Sequence, residues 1–180
     1  MIGNFIADHV VGNQFSHFSK EIQQGILLHR EIDTYTDNHK IVKQSKRRLH
    51  ERYRHYDGVI IDIFYDYFLA KNWSDYSAIP LNIYANAINE LFTKNISHLP
   101  VRSQNFIKYM VEYNILYNYQ FKKGIQKVLN GMNQRTKGKS QMNLALEDLI
   151  TLENELENDF KLFFKELIQF SNQKFNELLS

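Results

Sequence analysis

Between Met142 and Phe170 the side chains Leu149, Leu152, Leu156, Phe160, Phe163 and Leu167 recur at intervals of three and four. That interval is the period of an α-helix, and a chain with such a stripe must bury it against other helices. Little interrupts the pattern elsewhere. The 180 residues include only seven glycines and two prolines, the residues that most often end helices. One or two helices are expected over 142–170, with an exposed side rich in Glu and Lys.

The same reading extends upstream. Phe18, Ile22, Ile26 and His29 or Arg30 predict a helix from Ser16 to about Thr34. Asp37 or Asn38 is expected to cap a second helix that runs to about Tyr53. Asp57 is expected to cap a third, in which Ile60, Ile61, Phe64, Tyr65, Phe68 and Leu69 form a broad apolar face. A β-strand competes for "GVIIDIFYDYF", but its length and lack of clean alternation favour a helix. Pro80 suits the first turn of a helix to about Asn95, with Ile83, Tyr84, Ala87, Ile88, Leu91 and Phe92 inward. Further helices are expected over Ser103 to Asn118 and Phe121 to Leu129, followed by a polar loop, "NGMNQRTKGKS". The expected architecture is all-α: a single-domain helical bundle over 1–180.

Some classes of function are excluded. There is no cysteine, so disulfides, Cys-ligated zinc and thiol catalysis are impossible. No window approaches the eighteen or so consecutive apolar residues of a membrane helix. "MIGNFIADHV" lacks the basic and apolar regions of a signal peptide, and a cytoplasmic location is expected. The segment starts directly on an apolar pattern, so residues are expected upstream. A net charge of +2 is no nucleic-acid signature. The charge is locally uneven, however. Lys43, Lys46, Arg47, Arg48, Arg52 and Arg54 crowd "KIVKQSKRRLHERYR", a helix face suited to an acidic partner or simply to water.

The unusual feature is acids set within apolar helices. In "GILLHREIDTYTDNHK", His29, Asp33 and Asp37 lie four apart and so share one side of a helix. Asp62 and Asp66 repeat the interval in "IIDIFYDYF", among residues that look buried, and Asp8 ends the apolar run "GNFIAD". Gathered in one place, Asp8, Asp33, Asp62 and Asp66 repel unless they are protonated, paired with arginines or bound to a divalent cation. Imidazole with several carboxylates suits Mn²⁺, Fe²⁺ or a similar ion, whose usual chemistry is hydrolysis. The bland alternatives are a structural His29, Asp33 and Asp37 as caps or partners of Arg30 and Lys40, and Asp62 paired with an arginine such as Arg54. His9 and His39 adjoin the acidic motifs. The other histidines lack such company.

"GNFIAD" (3–8), "GILLHREIDTYTDNH" (25–39), "DIFYDYFLAKNW" (62–73) and "NGM" (130–132) together resemble the bacterial acyl carrier protein phosphodiesterase family, in order and in spacing. The resemblance implies an all-α fold distantly related to HD-type metal-dependent phosphohydrolases. It also implies hydrolysis of the phosphodiester that joins 4′-phosphopantetheine to a serine of holo-acyl carrier protein, with a divalent metal, Mn²⁺ foremost and Mg²⁺ or Fe²⁺ as alternatives.

Carried onto this sequence, the resemblance makes His29, Asp33 and one or both of Asp62 and Asp66 metal ligands, with Asp8 completing the set. Arg30 becomes the candidate to hold the phosphate, since its fork matches phosphoryl oxygens. Asp37 or Asn38 orients water or caps the next helix, and Asp33 is ligand or base. Lys43, Lys46, Arg47, Arg48 and Arg52 then form a docking face for an acidic carrier protein.

The chain departs from the family pattern twice. A segment like "MNFLAH", ending in histidine, is expected before the GN-x-x-AD motif. Tyr67 stands where histidine is common after the second acid of D-x-x-x-D. The alternatives to this reading are an HD-type phosphohydrolase acting on a nucleotide or small phosphodiester, and a non-catalytic helical module that binds carrier proteins.

Overall fold

A computed structural model describes residues 1–179, and every regular element among them is helical. The helices are α1 (Ile2–Ile6), α2 (Lys20–Asn38), α3 (Lys40–Tyr53), α4 (Asp57–Lys71), α5 (Leu81–Asn95), α6 (Val101–Glu112), α7 (Ile115–Asn118), α8 (Lys122–Arg135), α9 (Ala145–Thr151) and α10 (Glu153–Leu179). A 3-10 turn, Ala7–His9, follows α1 directly.

Helix α4 is apolar on nearly every side, and a helix of that kind must be surrounded. Ile60, Ile61, Ile63, Phe64, Tyr65, Tyr67 and Phe68 are all buried. They pack with Val42, Leu49 and Tyr53 of α3, Ile125 and Leu129 of α8, Leu149 of α9, and Leu156, Phe160 and Phe163 of α10. Each fully buried side chain of this size is worth about 1.5–3 kcal/mol of transfer free energy. A second apolar cluster gathers Ile6, Ala7 and Val10 with Ile26 of α2, Ile88 and Phe92 of α5, Ile107 and Met110 of α6, and Ile115 of α7. Tyr119 packs against both clusters, and α2 lies on α10 as well as on α1. The bundle therefore has a seam between its two cores.

The approach of α1 to α2 depends on two glycines. A Cβ on Gly3 would lie 2.0 Å from the Ile22 carbonyl oxygen, and one on Gly25 would lie 3.0 Å from the Asn4 nitrogen. Only hydrogen fits at either position, so the two backbones run in direct contact there.

The structure moves several expected boundaries. Helix α2 begins later and runs on to Asn38, which puts Asp33 and Asp37 inside the helix. The cap of α3 is His39, whose Nδ1 accepts from the Ile41 N–H at 3.3 Å, rather than Asp37 or Asn38. Asp57 is the first residue of α4 and Tyr56 its cap. On α5, Ile83 and Ala87 face outward, while Ala85, Ile88 and Phe92 are buried. That helix is covered on one side only, so its buried stripe is narrower than its apolar content suggests. The expected 103–118 helix breaks at Asn114, which adopts the left-handed conformation (φ 43) that asparagine tolerates. Helix α8 continues through "NGMNQR", because Val128 and Met132 extend the stripe of Ile125 and Leu129 onto the first core. The 142–170 pattern is two helices, divided at Leu152.

Candidate metal centre

Helix geometry sets His29 and Asp33 one turn apart, with His29 Nε2 3.0 Å from Asp33 Oδ2. Asp8 arrives from the 3-10 turn after α1, and its Oδ1 lies 3.1 Å from the same Nε2. The Gly3–Gly25 contact makes that approach possible, since it seats α1 directly on α2. One donor atom from each of the three side chains falls within 4.8 Å of the others. On the far side of the ring, His29 Nδ1 lies 3.3 Å from Asn4 Oδ1. With an Nδ1–H donating to that oxygen, Nε2 is left facing the carboxylates, as a metal-binding imidazole requires. The hydrogen bond that protonated His29 donates to Asp33 raises the His29 pKa above its usual range against the opposing effect of burial, helped by the charges of Asp33 and Asp8.

Asp62 and Asp66, the other two expected ligands, lie on α4 outside this three-residue group. Both residues are exposed, yet the protein packed around their carboxyls disfavours the charged form. This crowding pushes Asp62 up to about 6. Lys46 acts against the shift, and the charges of Asp37 and Asp33 add to it. Asp66 is pushed up to about 7 by burial and then by the charge of Asp62. Neither carboxyl has a hydrogen bond or ion pair among the described residues. Carboxyls poised near neutrality can exchange protons, and Asp62 does so within the field of Asp33 and Asp37.

The family model described as "Acyl carrier protein phosphodiesterase" matches residues 1–167 of this sequence. The chain belongs to the acyl carrier protein phosphodiesterase family. It is 30% identical over 173 residues to the acyl carrier protein phosphodiesterase of Klebsiella pneumoniae (strain 342), covering 96% of this chain and 90% of the relative. The corresponding protein of Enterobacter sp. (strain 638) is 29% identical over 174 residues, again with 96% and 90% covered. That of Salmonella agona (strain SL483) is 28% identical over 173 residues at the same coverage. No solved structure matches the chain.

The other residues singled out in the family motifs lie around this centre in distinct settings. Arg30 Nη2 donates to the carbonyls of Val10 (2.9 Å) and Gly12 (2.7 Å), and its guanidinium lies over the Phe15 ring. It thereby ties down the loop that leaves Asp8. Asp37, one turn beyond Asp33, pairs with Lys46 at 3.0 Å, and Asn38 donates to the Thr34 carbonyl. Tyr67 donates to Glu153 Oε1 of α10 at 2.9 Å. His9 meets Ser103 Oγ at 2.7 Å and His39 meets Glu166 at 3.1 Å.

Most of the basic face is engaged within the chain. Arg48 Nε reaches the buried Asp159 at 3.2 Å, and Arg52 pairs with Asp148 at 3.0 Å. Lys43 lies 3.4 Å from Asn38 Oδ1, and Lys46 is held by Asp37. Arg47 is exposed and forms no ion pair among the described residues. Asn4 escaped the sequence reading, although the N of its GN-x-x-AD motif was the signal that marks it.

Proposed function

We propose that this chain hydrolyses the phosphodiester linking 4′-phosphopantetheine to the serine of holo-acyl carrier protein, releasing the apo-protein, and that it works in the cytoplasm. The observation that carries the proposal is the convergence of Asp8, His29 and Asp33 from two helical segments in a chain of this family. The donor set fits a divalent cation of borderline hardness, Mn²⁺ foremost, with Mg²⁺ or Fe²⁺ as alternatives. Asp8, His29 and Asp33 would hold it. Asp62 and Asp66 lie outside the three converging donors, and Asp62, whose carboxyl feels Asp33, is the candidate for a further oxygen. When bound, such a cation supplies positive charge to the phosphoryl oxygens and acidifies water.

The protein's own groups do the rest. Asn4 fixes the imidazole through Nδ1. Arg30 holds the loop behind Asp8 and offers its remaining N–H groups to the phosphate. Water attacks phosphorus as the bond between phosphorus and the serine oxygen breaks. A carboxylate of the site that does not hold the cation takes the water proton, and Asp66, protonated below about pH 7, gives its proton to the departing serine oxygen. Asp37 keeps Lys46 beside Asp62, and Asn38 secures the last turn of α2. Lys43, Lys46, Arg47, Arg48 and Arg52 form the rim that meets the acidic carrier protein, with Arg47 the freest to do so. The relation to HD-type phosphohydrolases belongs to the same proposal, since those enzymes likewise draw His and Asp ligands from helices.

The test is the mass of holo-acyl carrier protein after incubation with this chain and Mn²⁺. Loss of the phosphopantetheine mass is expected with wild type, but not with His29→Ala or Asp33→Asn. Full activity in both variants would remove the site from the reaction.

A further inference from the structure

One motif stands apart from the acids. "NGM" (130–132) lies in α8, and Asn130 and Gly131 line a pocket of about 690 Å³ together with Tyr109, Tyr119, Asn118 and Val128. The volume is that of a small-molecule site.

Gly131 is the informative residue. In a helix interior glycine is less favourable than any residue except proline, so its presence needs a reason. Packing does not give one, because a Cβ there would meet only the Tyr109 hydroxyl, at 3.9 Å. Gly124, on the same helix, differs: a Cβ there would strike the Asn118 carbonyl oxygen at 2.0 Å, so close contact accounts for it. What the bare Cα of Gly131 preserves is open space in the pocket wall.

Helix α8, which lines the pocket, packs on α4, the helix that carries Asp62 and Asp66. Tyr119, also in the pocket wall, packs against both cores. The lining mixes aromatic and aliphatic faces with amide and phenol groups, which suits a flexible chain bearing amides and a hydroxyl. Lys123 and Lys127 stand on the wall, exposed and without ion pairs among the described residues. They add positive charge to the pocket wall.

We infer that the Tyr109–Gly131 pocket receives the pantetheine arm of the substrate, with its phosphate end toward α4 and its carboxyls. The inference rests on the proposed activity for the identity of the ligand.

The test uses pantetheine itself, which has no phosphate, and no metal. Titrated into the ¹⁵N-labelled full chain, it should give saturable amide shifts over residues 109–119 and 128–131. Gly131→Leu fills the pocket while improving helix propensity, and Asn130→Trp plugs it from an exposed position. Both variants should keep the native spectrum and lose the saturable shifts. Unshifted wild-type amides, or plugged variants that bind like wild type, would overturn the assignment. If wild type leaves holo-acyl carrier protein intact while pantetheine still shifts the pocket, the catalytic reading fails and the pocket stands. If it cleaves and the pocket does not respond, only the pocket assignment fails.

Discussion

Replacing Gly3 with alanine should damage the candidate metal centre without touching any of its ligands. The new Cβ would lie 2.0 Å from the Ile22 carbonyl oxygen, a backbone atom that cannot swing away. Carbon–oxygen contacts settle at about 3.3 Å, so α1 and α2 must part by roughly 1 Å. Overpacking of this kind costs about 1–3 kcal/mol. At about 2–4 °C per kcal/mol for a chain of this size, the melting temperature of the metal-free protein should fall by roughly 4–8 °C for a cost near 2 kcal/mol. The same displacement carries Asp8 away from His29 Nε2, now 3.1 Å distant, and Asn4 away from Nδ1. Mn²⁺ affinity, read by isothermal titration, should drop about 10–100-fold, the scale set by losing the groups that orient a ligand. Gly58→Ala is the control. Its Cβ would meet only the flexible end of Lys46, at 3.4 Å, so stability should hold or rise by up to about 1 kcal/mol. Wild-type melting and wild-type Mn²⁺ affinity in Gly3→Ala would refute the claim that close backbone contact assembles the site.

Four further outcomes are expected. Asp66 binds its proton more tightly folded (about 7) than unfolded, so it contributes full stability below the unfolded carboxyl pKa, and that contribution is lost as pH rises to 7. Asp66→Asn should therefore raise the melting temperature of the metal-free protein at pH 8 and not at pH 4; an equal effect at both would contradict the raised pKa. Mn²⁺ must displace the proton that Asp33 and Asp8 stabilise on His29, so its affinity should climb with pH below the raised His29 pKa and then level, whereas a pH-independent affinity would exclude His29 as a ligand. Asp159→Ala strands Ser45, Gln44 and Arg48, which donate to it at 2.8, 3.0 and 3.2 Å, and should cost about 3 kcal/mol in urea denaturation. Arg47→Glu should raise KM for holo-acyl carrier protein at low salt and leave stability unchanged, since Arg47 has no ion pair among the described residues to lose; an unchanged KM would remove it from the docking rim.

The amino-acid sequence by itself determined the helices and one half of the site. Apolar side chains at intervals of three and four fix which stretches coil and which side they bury. The same geometry places His29 within reach of Asp33, because residues four apart on a helix are neighbours whatever the rest of the chain does. Its errors were local and energetic. "NGMNQR" looks like a loop until Met132 gains the first core to pack on, and α5 shows a wide apolar face because the sequence does not say how many neighbours will cover it.

Only the tertiary structure decided the remainder. Asp8 and Asn4 reach His29 because Gly3 and Gly25 let two backbones touch, and Asp62 of α4 feels the charges of Asp33 and Asp37 of α2, although no interval in the sequence relates the two helices. It also decided that Arg48 and Arg52, exposed cations in a linear reading, are committed to acids about a hundred positions away. Distances between helices come from how side chains and glycines pack. Sequence spacing sets positions along one helix axis and carries no measure of the gap between two.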